Sequence, residues 1–378
     1  MIKSNFIIKG KYTCANVYKE ELEQHAEAQI QRLCDNEAFK DMSINIMPDS
    51  HAGKLAPIGT IAQLNISTRV LPAIVGNDIG CGLSCVEISK PNKGIEFEHL
   101  TKIIDENIPS GMDKGNKDYD TNTELEKVLL EEGYRDTKAK INFWNTVPKM
   151  CSLGSGNHFI ELGKSEDDRL FLTVHCGSRN YGNAIYEWWI KRAKKQAAER
   201  GEEIPFIEGY IVGDDIEDYI KDVEIATRWA SRNRRMIIER ICKKMKWDMI
   251  SDIMDTPHNF IKNNIAHKGA VDMEKDKPVL IATTNIEGIL IGTGKENFYG
   301  PHGVGRKIAR KECHNIYTAS DYEKIMEENK IVAPHAGRKT LDEAPMAYNS
   351  YADIKDYIEK VIDIDCFAKP IYNYKPIK

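Results

Sequence analysis

Two long helical stretches, residues 184–200 and 216–246, lie between two short apolar runs, LFLTV at 170–174 and PVLIA at 278–282. Runs of that kind read as buried strands. A doubly wound sheet needs strands and crossover helices in regular βαβ alternation, and that rhythm does not run through this chain. Further strands are expected at Ile44–Met47, Ile58–Leu64 and Val70–Val75. A helix is expected over 18–36, with Leu22, Ala26, Ile30 and Leu33 on one face. Near the end, YADIKDYIEKVIDI reads as one amphipathic helix aligning Ile354, Ile358, Val361 and Ile362, and the polar stretch 112–125 reads as a surface loop. The pattern predicts an α+β fold, with no repeat, linker or domain boundary in view.

Composition narrows the function. The net charge of −5 argues against a generally basic nucleic-acid coat, but leaves room for local basic faces. The strongest basic runs are KRAKKQAAER (191–200) and RWASRNRRMIIERICKKMK (228–246). The nine cysteines are scattered and form no CxxC pair, which argues against a disulfide framework or a zinc ribbon. No apolar run is long enough to span a bilayer, and MIKSNFIIKGKY does not read as a signal peptide. A reducing cytoplasm is the expected location, with no membrane partner.

The chemistry concentrates in glycine-rich turns. VGNDIGCGLSC (75–85) places Asp78 and Cys81 three apart, just after the expected strand ending at Val75. His158, His175 and His258 sit in similarly polar segments, and His175 ends a strand. One carboxylate, one thiol and three imidazoles suit divalent metals of the middle first row. Taken singly, each histidine also fits a hydrogen-bonded core residue, and Asp78 with Cys81 a capped turn. HGVGRKIAR (302–310) differs: amides freed by glycine and two arginines four apart make a phosphate cradle, with His302 at its lip as a phosphoryl acceptor. The plainer reading is a basic helix start. APHAGRK around His335 has similar composition but lacks the second arginine. No GxxxxGK[ST] loop occurs.

Taken in order, these segments resemble the RtcB family of GTP-dependent RNA ligases. The resemblance is carried by MPDSHAGKLAPIGT (47–60), VGNDIGCG (75–82), IPSG (108–111), LGSGNHFIEL (153–162) and HCGSRNYGN (175–183). RWASRNRRMI (228–237), HNF (258–260), AHKGA (266–270), HGVGRKIAR and DEAPMAY (342–348) continue it. It implies one large domain over 1–378, with mixed or antiparallel sheets around a central cleft and flanking helices. It implies two manganese ions, one on Asp78, Cys81 and His158, the other on Cys81, His175 and His258. His302 becomes the residue that takes GMP from GTP. Asn157, His158, Glu161, His258, Asn259, Thr284, Asn285, Gly303, Val304, Gly305, Arg306 and Lys375 surround the nucleotide, and Cys85 is left as core.

The implied partners are GTP, RNA with broken ends (tRNA or damaged RNA) and an activating protein. The implied reaction joins a 2′,3′-cyclic phosphate or 3′-phosphate end to a 5′-hydroxyl end, in RNA repair or tRNA splicing. Two rival readings are a metal-dependent RNA-end phosphoesterase and a non-catalytic RNA-end binder. The chain departs from the family pattern where ATTNIEG (282–288) replaces PGSMG, in HGVGR for HGAGR, and in Lys375-Pro376 near the end. If Thr284 and Asn285 do not restore the guanine contacts, a weaker preference for GTP over ATP is expected.

Overall fold

The computed structural model describes residues 2–91, 94–111, 123–296 and 298–377. Its larger sheet has seven strands, in the order Pro278–Ala282, Ile289–Gly294, Ile362–Tyr374, Phe159–Lys164, Leu170–Cys176, Gly82–Ile88 and Met254–Pro257, all antiparallel. A six-stranded sheet runs Phe6–Lys9, Cys14–Val17, Ile44–His51, Ile58–Gln63, Ile265–Lys268 and Asn259–Lys262, with one parallel pair, Cys14–Val17 beside Ile44–His51. Ala270–Met273 pairs with Phe298–Pro301 as a separate ribbon. The fold is therefore α+β with antiparallel and mixed sheets. Among the described residues no helix is long and apolar enough to cross a membrane.

Strand alternation separates the two faces of the larger sheet. Ile160, Leu162, Leu172, Val174 and Tyr372 enter the main core, where the helices Asn180–Glu199 and Asp215–Met245 also bury Trp189 and Trp229. Tyr181 stacks on Trp229 at 4.3 Å; truncating Trp229 to alanine would cost about 3–5 kcal/mol by the usual cavity scale. The opposite face carries Phe159, Glu161, Thr173, His175 and Asn373, and this is the face that bears the chemistry. A β-bulge between Pro370 and Tyr372 brings Asn373 directly opposite Glu161. Without the extra residue, Tyr372 would occupy that position.

Four expected elements are redrawn. The first helix spans only Gln24–Cys34. Val70–Val75 is not a strand: Val70 makes one bridge to Ile211, and Pro72 opens a 3-10 turn over Pro72–Ile74, because proline has no N–H for a ladder. The Asp78–Cys81 turn thus enters a strand, Gly82–Ile88, rather than leaving one. YADIKDYIEKVIDI splits into a 3-10 turn, a helix Lys355–Val361 and the start of the long strand at Ile362. Its β-branched end continues with period two, although all four aligned residues are buried as expected. Of the expected loop 112–125, residues 112–122 lie outside the described residues, and the helix Thr123–Glu131 begins within the remainder.

Candidate active site

Strand ends and turns bring five donors together. Cys81 Sγ lies 3.3 Å from His175 Nε2 and 3.7 Å from His158 Nε2. His175 Nε2 lies 3.4 Å from His258 Nε2, and His158 Nε2 lies 3.1 Å from Asp78 Oδ2. Two groups emerge that share the thiol, Cys81–His175–His258 and Asp78–Cys81–His158. His158 Nδ1 bonds the Leu153 carbonyl at 2.9 Å, and His175 Nδ1 bonds the Asn157 carbonyl at 3.2 Å. A carbonyl only accepts, so each Nδ1 carries a proton, and the neutral ring presents its Nε2 lone pair toward the cluster. A tetrahedral ion with bonds of about 2.0–2.3 Å keeps its donors roughly 3.3–3.8 Å apart. The Cys81 and His175 separations fall in that range, so the donor set fits a metal centre.

The backbone fixes this geometry. Gly80 has φ +73°, and a Cβ there would come within 2.8 Å of Thr227 Cα, so the turn needs glycine both for its conformation and for its packing. Asn259 Nδ2 donates to the Asp78 carbonyl at 3.0 Å, and His258 N donates to the Cys81 carbonyl at 2.8 Å. The Arg234 guanidinium, fully buried, donates to the carbonyls of Gly80 and Cys176, each at 2.7 Å, and clamps both Asp255 oxygens. It thereby ties the segments that carry Cys81, His175 and His258.

Electrostatics keep the donors distinct. Burial pushes the Cys81 thiol up to about 11, with Asp78 adding to the rise. Burial pulls His175 and His258 well below the usual imidazole range, helped by the neighbouring His158 and His302 respectively. Burial also pulls His158 down, but Cys176, Asp78 and Cys81 outweigh it and raise it. For Asp78 burial acts upward, and the His158 hydrogen bond and charge bring the carboxyl low.

His302 stands beside this cluster, its ring centroid 4.7 Å from that of His258. Its Nδ1 lies 2.7 Å from Oδ2 of the fully buried Asp49, and its backbone N–H donates to the same oxygen at 3.2 Å. With Nδ1–H directed at the carboxylate, the neutral ring carries its lone pair on Nε2. Gly305, with φ +76°, lets the 302–306 loop close on Asp49: a Cβ there would meet the Asp49 carbonyl at 2.4 Å. His302 lines a cleft of about 370 Å³ together with Asn157, Glu161, His175, His258 and Lys375. His335 is placed elsewhere, its Nδ1 on the Lys375 carbonyl at 2.7 Å.

One wall of the cleft is cationic. Lys375 Nζ reaches the Asn157 carbonyl at 3.1 Å and Glu343 Oε2 at 3.3 Å. Arg310 pairs with Glu343 and with Asp342, and Arg306 Nη1 lies 3.8 Å from Glu343. Burial acts to raise the Glu343 carboxyl, but Lys375, Arg310 and Arg306 bring it down to about 2. Three cations face two carboxylates and leave a positive balance for phosphates. Arg306 and Arg310 do not sit on successive helical turns, because the helix begins only at Arg310; it is Glu343 that gathers them.

Glu161 behaves oppositely. It is 2% exposed, and burial pushes its carboxyl up to about 8 against the pull of Asn373 and Lys375. Its Oε2 accepts from Asn373 Nδ2 at 2.8 Å, while Glu161 Oε1, Asn373 Oδ1 and Asn285 Oδ1 are buried without partners.

Of the residues expected around a nucleotide, Asn157, Glu161, His258, Thr284, Asn285, Gly303, Val304, Gly305, Arg306 and Lys375 line the cleft. Thr284 bonds Glu287 at 3.0 Å and Asn285 bonds Tyr322 at 2.9 Å. Asn259 instead spends its side chain on the backbone of Asp78 and Gly269. His158 lies deeper, with the metal donors. Cys85 packs in an apolar cluster with Leu83 and Phe171. Asp49, Arg234, Glu343 and Asn373 were not singled out from sequence. The first three lay inside segments already quoted, but only their partners in space reveal what they do. The basic runs are partly neutralised by acids that fold against them: Arg192, Lys195 and Arg200 pair with Asp215, Glu199 and Glu202, and Arg232 and Arg235 with Glu132 and Glu239.

Comparison with known proteins identifies the family. The sequence profile of the family described as tRNA-splicing ligase RtcB matches residues 29–376. The RNA-splicing ligase RtcB of Escherichia coli K12 is 27% identical over 346 residues, covering 81% of this chain and 83% of the relative. The tRNA-splicing ligase RtcB of Methanococcus maripaludis is 25% identical over 396 residues, with 82% of each covered. The RNA-splicing ligase RtcB homolog 2 of Entamoeba dispar is 26% identical over 423 residues, covering 88% of this chain and 79% of the relative. The chain belongs to the RtcB family.

Proposed function

We propose that this protein is a GTP-dependent RNA ligase that joins 2′,3′-cyclic phosphate or 3′-phosphate ends to 5′-hydroxyl ends, in RNA repair or splicing. The observation that carries the reading is His302 paired with the buried Asp49, set beside a five-donor metal cluster and facing a cationic wall. Asp78, Cys81 and His158 would hold one divalent ion and Cys81, His175 and His258 a second, for which we take manganese. Bound there, the ions would offset charge on phosphates and leaving groups.

His302 Nε2 attacks the α-phosphorus of GTP. A P–N bond forms, and pyrophosphate leaves with the electrons of the broken P–O bond. Asp49 holds the Nδ1 proton and balances the positive ring that results. Arg306, Arg310 and Lys375 steady the phosphates. The RNA cyclic phosphate is opened by water to a 3′-phosphate, whose oxygen then takes the GMP and frees His302. The 5′-hydroxyl of the other strand attacks that 3′-phosphate, and GMP departs as the new phosphodiester closes.

The unpartnered oxygens of Asn373 and Asn285 are acceptors, and that of Glu161 becomes one when its carboxyl ionises. Guanine offers N1–H and N2–H donors to such a set, where adenine offers an acceptor at N1. This favours GTP despite the altered 282–288 segment. The test is to incubate a 3′-phosphate RNA and a 5′-hydroxyl RNA with manganese, with and without GTP. A joined product only when GTP is present is expected. Release of phosphate without joining, independent of GTP, would refute the ligase reading.

A further inference from the structure

A second groove, of about 690 Å³, is lined by two elements that also wall the cleft. These are the helix Arg310–Ile316 and the 3-10 helix Arg338–Glu343. Arg310 and Glu343 face the cleft, while His314, Arg338, Lys339 and Leu341 line the groove together with the half-buried Tyr317. Lys307, Lys311, Arg338 and Lys339 are exposed, and among the described residues none of the four has an ion pair. Across 307–318 and 337–341 the sole carboxylate in the sequence is Glu312. The long basic helices spend most of their arginines on internal acids and carbonyls; this rim leaves its cations in solvent.

We infer that the groove between residues 310–318 and 338–341 is a docking track for single-stranded RNA, with Lys307, Lys311, Arg338 and Lys339 meeting backbone phosphates as the strand leaves the cleft. The inference rests on the ligase reading for its partner. The rim cations are unspent and solvated, so they can release counterions to a polyanion. The groove shares both walls with the cleft, and Lys307 lines the cleft itself. Tyr317 supplies an aromatic edge beside the phosphates, and bases stack on such surfaces with little regard to sequence.

The test is the affinity of a 3′-phosphate oligoribonucleotide, measured against salt, for the wild type and for Arg338→Ala/Lys339→Ala. Each lost phosphate contact should make the slope of log affinity against log salt shallower by about 0.7, or about 1.4 for the pair, which is about 25-fold in affinity at roughly 0.1 M salt. Guanylylation by labelled GTP without RNA should not change, because neither residue lines the cleft. Lys243→Ala/Lys244→Ala, at the end of the second long helix, should leave the slope as in the wild type. An unchanged slope in the rim variant, or an equal loss in the helix variant, would overturn the groove assignment. Loss of guanylylation in the wild type would instead strike the ligase reading itself.

Discussion

The two ends of the cleft solve opposite problems with buried charge. At the metal end, neutral imidazoles are wanted. Backbone carbonyls accept hydrogen bonds from Nδ1–H of His158 and His175, and burial pulls His175 and His258 toward the neutral form. At the nucleotide end, charge is wanted, and each cation already rests on a carboxylate: Lys375, Arg306 and Arg310 all converge on Glu343. A buried charge without a partner is expensive, so the cationic wall is held in place before any phosphate arrives. The metal end is held by histidine Nδ1–H bonds to carbonyls and by the buried Arg234, and His175 keeps its Nε2 lone pair toward the cluster. His302 stands between them, tied by Asp49 to neither.

This contrast can be broken at either end. The largest effect is expected from Cys81→Ser, because Cys81 is the donor common to both groups. Metal loading measured by elemental analysis should collapse, while Cys85→Ser, in its apolar cluster, should load normally. Next is Asp49→Asn, which keeps the shape but lets the amide stabilise the wrong His302 tautomer. The rate of guanylylation should fall about 10²–10⁴-fold, the usual range for a lost proton-handling group, with metal content unchanged. Arg234→Lys should weaken metal binding about 10–100-fold, as outer-shell changes do, because an ammonium cannot span Gly80, Cys176 and Asp255 together. A metal titration with a circular dichroism control separates this from unfolding.

The smallest effect concerns Glu161. Its carboxyl is raised from the ordinary 4.5 to about 8 in the folded chain. A raised folded value means that stability present below 4.5 is lost as pH rises toward about 8. Guanine donors need the ionised form, so GTP affinity should rise with pH, by up to about tenfold per unit, until about 8. Glu161→Gln should flatten both curves and narrow the gap between GTP and ATP labelling. Binding of GTP that does not vary with pH in the wild type would remove Glu161 from the base site.

At the metal end the residue types suggested divalent-metal donors, but their division into two sets came from the resemblance; the structure brings the same two sets together. The nucleotide end was less legible. Asn373 faces Glu161 only because a bulge shifts the strand by one residue, and no period in the sequence marks that shift. Arg306 and Arg310 looked like a helix face, but their common partner Glu343 lies in a segment far along the chain. The misjudged strand at Val70–Val75 has a local cause: apolar residues suggested a strand, and Pro72 overrode them. The basic runs misled for a related reason, since sequence shows cations but not the acids that fold against them.

The central claim is that His302 carries the covalent guanylate. It is tested most directly by labelling the protein with α-phosphate-labelled GTP and manganese, denaturing it and mapping the labelled peptide. A phosphorus–nitrogen adduct should survive alkali and disappear in mild acid. The label should map to residue 302, vanish in His302→Ala without loss of metal, and persist in His335→Ala. Label on any other residue, or label retained in His302→Ala, would contradict the account.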